Sequence, residues 1–230
     1  VARRYHLYAS VLVTVCVLLS GCSRRETPAK TQINNSVAAG ISPAEDLTRE
    51  HAVLERILLI YEEVNKHNEL VDPQKKALSE ASTLMKQFIE DYHEKLEEQY
   101  VFPQFIKAKK EVELVGTLLI QHDSGRKITK RIIEISGLKS VDKQTRDELS
   151  RLIIEFIRMY RPHAAREGSV LFREYPTVVG ASEYRELAEE FEDREHELFG
   201  DSGFDGIVDQ VAGIEKQLGI YELSKFTPKT

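Results

Sequence analysis

A chain of 230 residues, 41% apolar and 30% charged, has the size and make-up of one ordinary globular domain. Its 32 basic and 38 acidic side chains give a formal charge of −6, which offers no cationic surface for a nucleic acid. The composition argues against a collagen-like, wholly disordered or polytopic membrane chain, and two cysteines, Cys16 and Cys22, make no disulfide framework.

Arg3-Arg4 precede a mostly apolar run from Leu7 to Leu19. The run falls short of the ~20 apolar residues of a spanning helix. A charged start, a short apolar stretch and small residues after it read as an export signal, and the short run disfavours an uncleaved anchor helix. Leu19-Ser20-Gly21-Cys22 resembles the lipobox of bacterial lipoproteins, in which the cysteine carries lipid and becomes the first mature residue. The expectation is a leader over 1–21, lipid on Cys22, and a chain anchored in a bacterial cell envelope facing the periplasm. Ser23 favours the outer membrane over the inner. Residues 22–41, rich in Ser, Thr, Asn and Pro without periodicity, read as a flexible tether.

From Ser42 the pattern is helical. Ser42-Pro43-Ala44-Glu45 supplies a cap, a first-turn proline and a capping-box glutamate for a helix to about Asn65. Asp72-Pro73 opens a second helix, expected to run to about Phe102 and stop at Pro103. A third covers 111–136 and ends at Gly137, and a fourth, capped by Ser140 or Asp142, runs to about Arg173 before Pro176. Ser182 starts a fifth that ends near Gly200, and Gly203–Leu218 forms a short sixth. No stretch alternates with period two. The fold class predicted is all-α: an up-down-up-down four-helix bundle over 42–176, with a C-terminal helical extension over 177–230.

Four of the seven histidines fall one per long helix: His51, His93, His122 and His163. Two have a glutamate four residues on, Glu97 and Glu167, one turn along the same helix face. The offsets match across the chain: 71 residues from His51 to His122, and 70 for His93 to His163, Glu97 to Glu167 and Phe102 to Phe172. The chain therefore reads as two duplicated helical hairpins bringing four imidazoles and two carboxylates to the middle of a bundle. Apolar neighbours share the stripes: Ile89, Leu96 and Tyr100; Val115, Leu118 and Leu119; Phe156, Tyr160 and Val170. A carboxylate among them needs a positive partner, and a pair of buried metal ions is the simplest.

This pattern resembles the hemerythrin-like family with its histidine–histidine–glutamate cation-binding domain. The resemblance implies a non-haem di-iron centre, two irons per chain, held by His51, His93, Glu97, His122, His163 and Glu167. An oxygen-carrying hemerythrin has a further histidine where Arg126 stands, and an aspartate where Gly168 stands. The chain is thus closer to the four-histidine, two-glutamate branch linked to nitric oxide and to repair of iron centres. The implied function is to bind nitric oxide or dioxygen, or to hold iron. The alternative is catalysis of nitric oxide or peroxide reduction, or of iron-centre repair, with a separate electron donor. A ferritin-like centre needs Glu-x-x-His on two helices; Glu90 and His93 fit once, and Tyr160 stands in the second place.

The remaining polar residues have ordinary expectations. His67 is solvated and His196 half-exposed, Glu94 and Glu98 point about 100° away from the ligand pair toward solvent, and Pro162 kinks or widens the fourth helix. Tyr100 and Tyr160 are candidates for hydrogen bonds near the metals.

Overall fold

Ser42 caps the first helix as its sequence dictates. Its side chain accepts from the Glu45 amide while the Glu45 carboxylate reaches back to the Ser42 amide, and Pro43 sits in the first turn. The computed structural model describes residues 40–229; the leader, Cys22 and nearly all of the tether lie outside the described residues.

Helix α1 spans Pro43–Asn65. Helix α2 covers residues 74–108 in segments of different pitch: α-helical over Gln74–Leu84, π-helical over Met85–His93, α over Glu94–Leu96, π over Glu97–Val101, and α over Phe102–Ala108. Helix α3 is Val112–Ser136. Helix α4 covers residues 143–178, α-helical over Lys143–Arg166, π over Glu167–Leu171 and α over Phe172–Val178. Two more helices follow, α5 over Ala181–Phe199 and α6 over Gly203–Leu218.

α1 packs on α2 and α4, and α3 packs on α2 and α4, closing a four-helix ring; α5 and α6 lie against α1, and α6 also against α2. Leu54, Ile57 and Tyr61 of α1, Leu78, Met85 and Phe88 of α2, Ile132 and Ile135 of α3, and Ile153 and Phe156 of α4 belong to one apolar cluster. Among the described residues no helix is long and apolar enough to cross a membrane.

Several expected boundaries move. α2 does not stop at Pro103 but continues to Ala108, where Lys109 turns left-handed (φ 55°). The π turn just before Pro103 makes this possible: the Phe102 amide bonds to the Glu97 carbonyl five residues back, and the helix is wide where the proline ring would otherwise meet the preceding turn. α4 likewise runs through Pro162 and Pro176, and its wide turn begins at Glu167, not at Pro162. Gly180 rather than Ser182 precedes α5. Leu119, expected inside, is 38% exposed.

Gly125 on α3 is required by a close approach: a Cβ there would lie 2.0 Å from the Tyr160 hydroxyl oxygen. Gly116 on the same helix has nothing within 4 Å. Gly125→Ala is therefore expected to destabilise the protein by about 1–3 kcal/mol through overpacking, whereas Gly116→Ala stabilises by up to about 1 kcal/mol through helix propensity. Urea unfolding of the two variants checks this, and equal midpoints would contradict it.

Candidate metal centre

The six residues singled out by the repeat meet at one place. His51 from α1, His93 and Glu97 from α2, His122 from α3, and His163 and Glu167 from α4 are all buried. Ligand atoms of His51, His93 and Glu97 lie within 4.8 Å of one another, and so do those of His122, His163 and Glu167. The glutamates reach across the two sets. Glu97 lies 3.7 Å from His93 Nε2 and 3.4 Å from His122 Nε2. Glu167 lies 3.1 Å from His163 Nε2, 3.3 Å from His51 Nε2 and 3.9 Å from His122 Nε2.

Besides the π segment over Met85–His93, a π turn begins at each of these glutamates, Glu97–Val101 and Glu167–Leu171, so the duplication extends to an irregularity of the backbone. π turns inside α-helices are found mostly at functional sites, because the extra residue re-aims the side chains around it. The phenylalanines that end them form matching walls. Phe102 stacks on His122 with ring centroids 5.6 Å apart, and Phe172 lies 5.1 Å from the His51 ring.

With the Nε2 atoms turned inward, the Nδ1 atoms find outer partners, which fixes the ring orientations. His93 Nδ1 is 2.7 Å from Glu50 Oε2, His163 Nδ1 is 2.9 Å from Gln121 Oε1, and His122 Nδ1 is 3.1 Å from Glu98 Oε1. Arg126 contacts both Glu94 and Glu98, at 2.6 and 2.5 Å, and the Tyr160 hydroxyl donates to Glu94 at 2.7 Å.

These contacts correct the expectation for Glu94 and Glu98. Glu94 is 1% exposed and Glu98 half-buried, because the π turns on either side rotate α2 away from the uniform 100° per residue and Arg126 supplies their counter-charge. Glu50, Gln121, Glu98 and Arg126 give no motif of their own. A signal for the first two exists all the same, since each immediately precedes a repeat histidine. Of the tyrosines, Tyr160 reaches the site's surroundings, whereas Tyr100 donates to Glu190 on α5. His67 and His196 are exposed.

Electrostatics show what the site lacks. Both carboxylate oxygens of Glu97 and of Glu167, together with His51 Nε2, are buried without a hydrogen-bond partner. Burial and the neighbouring Glu167 charge push the Glu97 carboxyl well above the usual range. Burial acts on Glu167 too, but His163 and His51 outweigh it and hold that carboxyl well below the range. Burial pushes His51 and His122 down and His93 down to about 4. Burial also raises Glu50 and Glu94 to about 8, whereas for Glu98 hydrogen bonds from His122, Lys95 and Arg126 overcome burial and lower it to about 2. Neutral imidazoles facing carboxylates with no other partner are what a dication requires, so the residues present fit metal ions.

A family model, the Hemerythrin HHE cation binding domain, matches residues 42–175. Uncharacterized proteins from two strains of Mycobacterium tuberculosis and from Mycobacterium bovis are each 42% identical over 233 aligned residues, covering 99% of this chain and 91% of the relative. No solved structure matches.

The pKa shifts give a signed prediction for the metal-free protein. An acid raised from its ordinary value to about 8, as Glu50 and Glu94 are, favours folding while protonated, and that contribution is lost as pH rises through about 8. Above pH ~7.5 an unfolded histidine is about nine-tenths neutral, so the buried imidazoles no longer change the balance and these carboxyls set the slope. Metal-free protein is expected to lose stability between pH ~7.5 and ~8.5, and metal-loaded protein to lose less, because bound cations favour the charged carboxylates. Urea midpoints at the two pH values, with and without metal, check this. A midpoint that rises with pH in the metal-free protein would contradict it.

Proposed function

The chain belongs to the hemerythrin HHE cation-binding domain family, and from that premise we propose that it is a non-haem di-iron protein, anchored by lipid on Cys22 in a bacterial envelope, that binds nitric oxide or dioxygen or holds iron. One observation carries the reading: two fully buried glutamates whose four oxygens have no partner, each facing histidines of both hairpins. Carboxylates so placed would suit a pair of ions. His51, His93 and Glu97 would hold one ion, and His122, His163 and Glu167 the other. The donor set of imidazoles and carboxylates, without thiolate, suits iron, and a closed structural zinc would need only four ligands.

Iron bound there supplies one-electron chemistry and open positions for a diatomic ligand. The chain's own residues orient three of the four imidazoles, those of His93, His122 and His163, through their Nδ1 partners, and keep water from the inner faces with Phe102 and Phe172. Arg126 stands where a fifth imidazole would be and is engaged by Glu94 and Glu98, which leaves four imidazoles for two ions. That openness favours nitric oxide over reversible oxygen carriage.

A catalytic reading, reduction of nitric oxide or peroxide with a separate electron donor, is favoured by one feature. The Glu94 carboxyl, pushed up to about 8 by burial, accepts from the Tyr160 hydroxyl and lies 3.9 Å from His122 Nδ1, so a group that exchanges a proton near neutral pH stands beside the site. Turnover in the presence of a reductant, against saturable binding without consumption, separates the two readings.

Purified protein should contain about two irons per chain, and a His93→Ala, His163→Ala double variant should lose most of them, since loss of partners leaves buried carboxylates uncompensated. Unchanged iron content would refute the assignment. Ferrous protein should bind nitric oxide saturably under anaerobic conditions and oxidise in air without recovery on deoxygenation. For the anchor, Cys22→Ala should abolish labelling by a lipid precursor.

A further inference from the structure

One end of the bundle carries charge that the rest of this acidic chain does not. The turn from α2 to α3 reads Ile106-Lys107-Ala108-Lys109-Lys110-Glu111-Val112, and every one of these side chains is exposed. Lys66, Lys76, Lys86, Lys95, Lys127 and Lys143 each lie within 3.6 Å of a carboxylate. Among the described residues no carboxylate pairs with Lys107, Lys109 or Lys110; the Lys110 ammonium donates only to Thr177 Oγ1, at 3.5 Å. Glu111 and Glu113 stand at the start of α3, where the helix dipole favours them. Lys109 and Glu111 are both left-handed, with φ of 55° and 49°, so lysine occupies a helix-ending position where glycine is the less strained residue.

Apolar surface continues from the turn. Ile106, Val112, Leu119 and Ile120 are exposed, the last by 69%. Val112, Gly116 and Ile120 recur every fourth residue and so share one stripe along the first turns of α3. The incoming chain arrives at this same end. The Ala44 amide donates to the Tyr184 hydroxyl at 3.2 Å, Tyr184 packs on Tyr175 at 5.5 Å, and Tyr175 on Phe105 at 6.4 Å, next to Ile106. Whatever precedes Gly40 therefore enters beside the lysine turn.

We propose that this end of the bundle is a membrane-docking surface, in which Lys107, Lys109 and Lys110 meet the anionic headgroups of a bilayer and Ile106, Val112, Leu119 and Ile120 enter its interfacial layer. Unpaired lysines beside apolar side chains are the combination such a surface attracts, each lysine adding to the attraction within a Debye length. A second copy of the chain fits less well, since a two-fold contact through this patch sets lysines against lysines. The inference rests on the lipid-anchor reading above only for the direction from which the chain meets the membrane.

The test is co-sedimentation of the full chain carrying Cys22→Ala, which has no lipid of its own, with vesicles of phosphatidylcholine alone or mixed with phosphatidylglycerol. Neutral vesicles measure what the apolar run Leu7–Leu19 contributes by itself. Binding should be tighter on the anionic vesicles, fall as salt is added, and weaken about fivefold for each of Lys107→Gln and Lys110→Gln. Ile120→Ser should weaken it as well. Lys109→Gly separates docking from folding, because it should weaken binding while raising the urea midpoint. Equal binding to both kinds of vesicle, or anionic binding unmoved by the lysine variants, would overturn the inference. So would a dimer in solution that Ile120→Ser dissolves, which would give the patch to a second copy. Lipid labelling that survives Cys22→Ala would overturn the anchor alone, and leave the docking surface to stand or fall on the vesicles.

Discussion

Two buried carboxylates at the centre of the bundle, with no hydrogen-bond partner and only imidazole nitrogens 3.1 to 3.9 Å away, set the terms for everything around them. Burying an unpaired carboxylate costs several kcal/mol even after relaxation. The Glu167 charge beside Glu97 adds to burial in raising the cost of ionising Glu97. Protein groups relieve this only in part, since the imidazoles that face them are held neutral by the same burial. The missing positive charge has to be brought in, and the folded state in which the six side chains converge is the state that gains from it. Metal binding and folding are therefore linked, and the bundle's stability is inseparable from its occupancy.

The backbone answers the same constraint twice. A glutamate four residues after a histidine shares its face, but the chain must then carry a phenylalanine over the neighbouring imidazole and run on past the site. A π turn starting at each glutamate meets both needs, and its recurrence at an offset of 70 residues shows that the repeat encodes geometry as well as ligands. The extra residue also explains why Pro103 is tolerated within α2.

Much of the bundle was legible from the residues. The capping box at Ser42 and the Asp142 cap set the starts of α1 and α4, Gly137 follows the end of α3, and the histidine offsets gather the six central side chains. What escaped has a physical reason. Periodicity assumes a constant 100° per residue, so π turns are invisible to it, and with them the inward turn of Glu94 and the continuation of α2 to Ala108. Long-range charge pairing escaped too. The spacing that places Arg126 on α3 says nothing of Glu94 and Glu98, which α2 brings to it, and no local pattern joins Glu195 to Arg49 on α1.

Glu195 shows why the C-terminal helices belong to the argument about the site. It accepts from Arg49 of α1 and from the Phe204 amide, and Gly203 is needed beside it, since its φ is +40° and a Cβ would lie 2.3 Å from the Glu195 carboxylate. Arg56 makes a two-point pair with Glu215 of α6, and Phe199 and Phe204 pack on Phe88 and Tyr92 of α2. Together α5 and α6 cover the side of the ring made by α1 and α2, behind Glu50 and His93. The cavity lies on the opposite side, between α3 and α4, behind Gln121 and His163. Duplication alone would give a centre with two like halves. The helices that follow the repeat break that likeness, because α5 and α6 cover the α1 and α2 side and leave the α3 and α4 side to carry the cavity.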